Sequence, residues 1–394
     1  MDIKKLSEEY DSWIIEKRRE FHEHPELSFE EKWTTGHIIG ELEKMGIPVE
    51  TYDGVYGAIG AIKGGKGPGK TVLLRADIDA LPVTEQTGLP FCSKIEGKMH
   101  ACGHDAHTAM LLGAAKILVS LRDQLRGEVK LLFQSAEESC FGARSYVERG
   151  ALKGVDAVFG MHVWGTLDAP FINYENGNRM ASCDNFKIII HGKSAHGSAP
   201  HQGHDAVVAA ASAVMNIQTM ASRFNDPLNS LVITVGTMKG GERANIISNC
   251  VEMEGTVRTF SREVRGMIEE KLRKIVEDSA DALGCRATLE YDYLLDPVIN
   301  EHEDLVRISR AAAVKLFGAD ILKDMPQLMG SEDFSMLMKE APGVYGFIGT
   351  VNKEKGSIYS NHDNKYTVDE DVLHMGAALY AQFALDYLAE TGGN

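Results

Sequence analysis

Residues 100–107 read HACGHDAH, which puts three histidines, a cysteine and an aspartate into eight positions. Thiolate and imidazole donors together suit zinc or another borderline divalent ion. Cys102 and His104 are two residues apart, a spacing at which a loop can turn both side chains toward one point. The chain has no C-x-x-C pair, so the pattern is not that of a closed structural zinc site. Further candidates follow apolar runs. TVLLRAD (71–77) ends in Asp77, with Asp79 two residues on. VKLLFQ (129–134) runs into SAEE, which presents Glu137 and Glu138, and DAVFGMH (156–162) ends in His162. A polar loop, SNHDNK (360–365), adds His362. An adjacent acid pair permits a division of labour: one carboxylate holds a metal and the other accepts a proton from water. The residues alone do not say which of Glu137 and Glu138 does which. The competing chemistry is a thiol nucleophile at Cys102 with His104 or His107 as its base, which leaves the acid pair without a task.

These groups are distant in sequence and can meet only if one sheet carries them. In an open α/β sheet, ligands bind beyond the carboxyl ends of the strands. The apolar runs 71–77, 129–134 and 156–162 alternate with helical patterns, chiefly 104–124, and amphipathic helices at 4–24 and 29–45 precede them. This predicts an α/β fold, a mixed and mostly parallel sheet covered by helices. The middle of the chain differs. Strand-like runs at 184–192, 230–238, 250–260 and 286–294 are interrupted by helical patterns at 204–222 and 262–283. That order, β-α-β-β-α-β, predicts a ferredoxin-like α+β domain. Helical patterning returns at 301–317, 331–340 and 370–390, with a short strand at 343–349. The expected organisation is a discontinuous α/β domain, residues 1–182 and 297–394, with residues 183–296 inserted. The Gly-rich KGGKGPGK (63–70) lacks the spacing of a phosphate-binding loop and reads as a hairpin or loop.

The chain has 394 residues, of which 44% are hydrophobic, as in a soluble globular protein. With 41 Lys plus Arg against 57 Asp plus Glu, its net charge is −16, which repels a phosphate backbone and argues against nucleic-acid partners. No apolar run approaches the ~18 residues of a membrane span. The first residues are charged throughout, unlike a secretory signal. Six scattered cysteines fit a reducing compartment, so a cytoplasmic location is expected.

The stretch ADIDALPVTEQTGLPFCSKIEGKMHACGHDAHTAMLLGAAKIL, then FQSAEE, then GMHVWGTL, resembles the M20 metallopeptidase family. The similar branch is the amidohydrolase and aminoacylase group, with its hippurate and auxin-conjugate hydrolases. The resemblance runs from HEHPELSFEE (22–31) through GKSAHGSAPH (192–201) and ANIISNCVEMEGTVRTF (244–260) to GSEDFS (330–335) and His362. It implies a zinc-peptidase-like catalytic domain with an inserted lid and dimerisation domain, hence a homodimer or higher homo-oligomer. It also implies two divalent ions, with Zn, Mn, Co and Ni all chemically admissible. By motif, Cys102 bridges the ions, and His104, Glu138, His162 and His362 complete the ligands. Glu137 matches the general base that works on metal-activated water. Asp77 matches an acid that orients a ligand or the base. His196 matches a histidine that polarises the substrate carbonyl, from its own subunit or from the partner's. Asn245 and Arg258 match substrate-binding positions, and a guanidinium suits a free carboxylate. The implied activity is hydrolysis of N-acyl amino acids (N-acetyl, N-benzoyl or similar) to a carboxylic acid and a free amino acid. The alternatives are a dipeptidase or carboxypeptidase, or a non-catalytic metal-binding protein on this fold. The chain departs from the branch in Ser135 before Ala136, in SCFGAR (139–144) after the acid pair, and in SNHDNKY around the late histidine. None of these removes a ligand.

Overall fold

The computed structural model describes residues 2–391. Its contacts divide the chain into two units. The first takes the residues up to Arg179, then Ile299–Pro326, then those from Asp333 onward. The second takes Met180–Val298 and the short segment Gln327–Glu332.

A seven-stranded sheet runs through the first unit, in the order Val49–Tyr52, Val55–Lys63, Glu128–Gln134, Thr71–Asp77, Ala157–Asp168, Gly343–Val351, Ile172–Asn173. The four strands from Glu128–Gln134 to Gly343–Val351 are parallel, and the outer pairings are antiparallel. Every residue of Thr71–Asp77 after Thr71 is buried, because a parallel sheet is covered on both faces. The helix His104–Ser120 is buried along nearly its whole length, and the helices Ile3–Glu23 and Leu373–Thr391 pack on it. A helix apolar on all sides belongs in a core. Two elements differ from the sequence expectation. The strand begun by DAVFGMH continues to Asp168, so His162 lies within it rather than at its end. The Val49–Tyr52 and Val55–Lys63 hairpin was not expected, although its Asp53-Gly54 turn, with Gly54 at φ 73°, is a strong hairpin signal.

The second unit holds a four-stranded antiparallel sheet in the order Leu231–Gly240, Cys250–Thr259, Cys183–His191, Arg286–Leu295. The helices Ala206–Thr219 and Arg262–Asp281 share a hydrophobic core with it, in the β-α-β-β-α-β order. A short two-stranded ladder pairs Ala195–His196 with Ile246–Ile247. Among the described residues, no helix is long and apolar enough to cross a membrane.

Candidate functional site

Cys102 Sγ lies 3.4 Å from His162 Nε2 and 3.3 Å from His362 Nε2. Glu138 Oε1 lies 3.4 Å from His362 Nε2 and 4.0 Å from His104 Nε2. Two sets of donor atoms, each within 4.8 Å of one another, share the thiol: Cys102, His104 and His162, and Cys102, Glu138 and His362. Glu137 joins His104 and Glu138 in a third such set. The first unit therefore gathers all five residues read as ligands, with Glu137 beside them.

Local backbone explains why these residues converge. Gly103 has φ 94°, and an added Cβ would lie 2.4 Å from Val163 Cγ2. Only glycine turns here at small cost, so Cys102 stays outside the helix while His104 begins it. Ala136, Cys140 and His362 also have positive φ, which costs non-glycine residues roughly 1–3 kcal/mol each. Neighbouring contacts hold these strained turns. The His362 N–H donates to Ala101 O at 2.7 Å, and Asn361 Nδ2 donates to Cys102 O at 3.0 Å and Val163 O at 3.2 Å.

Asp79 is the residue that the sequence reading noted without giving it a role. Its Oδ1 accepts from Glu137 N–H at 3.1 Å and lies 3.2 Å from His104 Nδ1. Its Oδ2 accepts from Glu138 N–H at 3.0 Å and Ser28 Oγ at 2.7 Å. One carboxylate thus fixes the acid-pair turn and orients an imidazole. Asp77, which was expected to orient a ligand or the base, is bound to His107 Nδ1 at 2.5 Å and lies 3.7 Å from His104 Nε2. The available signal was the D-x-D spacing, which carries Asp79 past the strand end toward the helix start.

The other nitrogen of each of two imidazoles is already engaged. His162 Nδ1 donates to Val163 O at 2.6 Å, and His104 Nδ1 faces Asp79, so both Nε2 atoms turn to the donor sets. Holding the far nitrogen in this way is how proteins orient metal-binding histidines. His104 Nε2 and Glu138 Oε1 are buried without a hydrogen-bond partner. Buried polar atoms left unpaired in this way are costly. Two of them converging among Cys and His donors fit a divalent cation.

The second unit carries His196, Asn245 and Arg258. His196 pairs with Ile246 across the short ladder, and the Gly197 N–H donates to Asn245 O at 2.8 Å, so His196 and Asn245 are neighbours. The Ser198 N–H donates to His196 Nδ1 at 3.1 Å. A neutral His196 ring therefore carries its proton on Nε2 and can donate it. Arg258 lies near the end of the Cys250–Thr259 strand, opposite Val232, and donates to Ser331 Oγ at 3.0 Å.

The sequence model described as Peptidase family M20/M25/M40 matches residues 73–386. The chain belongs to this family. It is similar to thermostable carboxypeptidase 1 of Saccharolobus solfataricus, 41% identical over 96% of both chains. It is also similar to the N-acetylcysteine deacetylase of Bacillus subtilis, 38% identical over 94% of this chain and 96% of that one. A Bacillus subtilis crystal structure, of a dinuclear metal binding peptidase from the M20 family, superposes with a TM-score of 0.86 at 36% identity, covering 98% of this chain and 99% of that one. The protein is an enzyme that acts on amide or peptide bonds, and its family works with divalent metal ions.

The electrostatics of the centre agree with a cation. Burial opposes charge on His104, but Asp77, Asp79 and Glu138 outweigh it and push the imidazole up to about 10. The same field would attract a divalent ion. Burial, then Glu138, Glu137 and Asp77, push the Cys102 thiol well above its usual range. A nucleophilic cysteine needs the opposite shift, which counts against the thiol chemistry in the metal-free protein. Burial and the neighbouring His107 hold His162 well below its ordinary value, as a neutral ring suited to ligation.

Glu31 supports the same turn from below, its Oε1 accepting from Ala136 N–H at 2.8 Å. Burial, with Asp79 nearby, raises its carboxyl to about 8. The folded chain therefore keeps this proton where the unfolded chain, titrating near 4.5, has lost it. Stability must fall with rising pH between those values, by up to about 1.4 kcal/mol per unit, and level off above them. Glu31→Gln retains the acceptor and removes the slope. In metal-free protein, its thermal midpoint should gain on the wild type from about pH 5 to about pH 8. Parallel curves for the two proteins would mean that Glu31 is ionised in the fold.

Proposed function

We propose that this enzyme hydrolyses N-acyl amino acids to a carboxylic acid and a free amino acid, at a centre of two divalent ions. The observation that carries the reading is Cys102, whose thiol belongs to two donor sets at once, with a further carboxylate, Glu137, alongside. In this reading Cys102, His104, Glu138, His162 and His362 hold the ions. Divalent ions held there would act as Lewis acids on a carbonyl oxygen and would lower the pKa of a water, so that a base can turn it into a nucleophile. Glu137 takes the proton from that water and then delivers it to the leaving amine. Asp79 holds His104 and the Glu137–Glu138 turn in position. The His196 Nε2–H donates to the substrate carbonyl, and Arg258 and Asn245 bind the free carboxylate and its surroundings. The deacetylase likeness supports an N-acyl substrate.

The second reading is a carboxypeptidase or dipeptidase, favoured by the 41% identical thermostable carboxypeptidase. Amine release from N-acetyl, N-benzoyl and longer N-acyl amino acids, against unblocked dipeptides and blocked peptides, separates the two. The first reading expects faster turnover of the acylated amino acids. Faster cleavage of peptides overturns it.

We further propose a homodimer formed through the second unit. The Leu231–Gly240 strand is an edge of its sheet, with Val232 and Met238 exposed, and Val207, Val208 and Met215 are exposed on the helix Ala206–Thr219. An unprotected edge beside apolar side chains invites pairing with another chain. The same proposal places the enzyme in the cytoplasm, where its six free cysteines would stay reduced. Light scattering should give twice the chain mass. His196→Ala should lower kcat more than it raises KM. If the partner supplies His196, mixing it with inactive Glu137→Gln protein will restore part of the activity, and no recovery after proven subunit exchange would place His196 in its own subunit's site.

A further inference from the structure

Arg75 is 1% exposed and reaches three acceptors. Its Nη1 donates to Asp77 Oδ2 at 2.6 Å, its Nη2 to Asp333 Oδ1 at 2.8 Å, and its Nε to Gln134 Oε1 at 3.0 Å. Gln134 Nε2 lies 2.9 Å from both Asp333 oxygens, and the Ala143 N–H donates to Asp333 Oδ2 at 2.8 Å. A guanidinium is a rigid planar fork, so one group sets the two carboxylates relative to each other.

Each carboxylate leads to a different side of the centre. The Val163 N–H donates to His107 Nε2 at 2.8 Å, so the ring proton is on Nδ1 and is donated to Asp77 Oδ1 at 2.5 Å. Val163 directly follows His162. His107 is thus a strut between Asp77 and the strand that carries a proposed ligand. On the other side, the Asp333 N–H donates to Glu137 Oε1 at 3.4 Å. We infer that Arg75 is a positioning residue that, through Asp77 and Asp333, holds the imidazole side and the base side of the centre in one fixed relation. The inference rests on the proposed roles of His162 and Glu137. A residue needed only for charge balance would have no reason to span both carboxylates with separate arms.

Arg75→Lys tests the difference, because it keeps the charge and loses the fork. Asp333→Asn is the second variant, should Arg75→Lys fail to fold, and it weakens only the base-side arm by removing the charge and one of its two acceptor oxygens. Circular dichroism checks folding, and the visible bands of Co²⁺-loaded protein report ligand geometry without turnover. Arg75→Lys is expected to lower kcat about 10- to 100-fold, the range for groups behind metal ligands, with KM within about threefold and the Co²⁺ bands shifted. Asp333→Asn should lower kcat with the Co²⁺ bands unchanged. The double variant should be no slower than Arg75→Lys alone, since both changes act on one path. Folded single variants with wild-type kcat and wild-type Co²⁺ bands, differing only in thermal midpoint, would overturn the inference. A wild-type protein that binds no Co²⁺ and cleaves no amide would overturn the proposed function, and the inference with it.

Discussion

Glu137→Gln will lower kcat by about 10²–10⁴-fold while leaving the metal content unchanged, the scale expected for loss of a general base. The two donor sets that share Cys102 are complete without Glu137, so its amide should not release an ion. The amide oxygen can still accept from the Asp333 N–H, which spans 3.4 Å to Glu137 Oε1. It cannot take a proton from water. Glu138→Gln makes the contrast, because Glu138 belongs to the set with Cys102 and His362. That variant should lose metal along with activity. Steady-state kinetics with elemental analysis of the same samples separates the outcomes. Near-normal turnover at full metal content would move the base elsewhere, and loss of metal would make Glu137 a ligand.

Cys102→Ser should have the broader effect, since one thiol serves both donor sets. Groups that merely orient ligands change affinity or activity about 10- to 100-fold, and a shared direct donor should exceed that range. Both metal retention and turnover are expected to fall by more than about 100-fold. Chelation of the wild type should abolish activity, and Mn²⁺, Zn²⁺, Co²⁺ or Ni²⁺ should restore it. Alkylation of the stripped protein should be slow at neutral pH, because burial and the surrounding carboxylates keep the Cys102 thiol protonated. Turnover that survives chelation and is lost on rapid alkylation would instead restore the thiol-nucleophile reading.

The most legible parts of this chain were those in which chemistry and local pattern coincide. HACGHDAH, SAEE and GMH each pair an unusual donor type with an adjoining apolar run, and packing those runs in one core brings the donors together, although His162 sits within its strand and not at its end. The β-α-β-β-α-β order of the second unit was equally readable, because alternating strand faces and helical spacing, one helix Ala-rich and the other charged, leave a clear period. The Val49–Lys63 hairpin was legible only through its Asp53-Gly54 turn, which was weaker evidence than the long apolar runs elsewhere.

What sequence could not reach is the set of partners that hold the donors still. Asp77 and Asp79 look alike in ADID, two acids two residues apart. Only the fold turns Asp79 to the Glu137–Glu138 turn and His104, and Asp77 to Arg75 and His107. Arg75 reads as one polar residue interrupting a strand, and Asp333 lies 258 positions away from it. Their ion pair is invisible to any local window, and burial makes it consequential: removing one partner from such a pair costs about 3–5 kcal/mol. The sequence by itself determined which residue types were on offer as metal donors and proton acceptors. The tertiary structure decided which carboxylate serves which donor, because hydrogen-bond direction and burial exist only after distant segments have packed together.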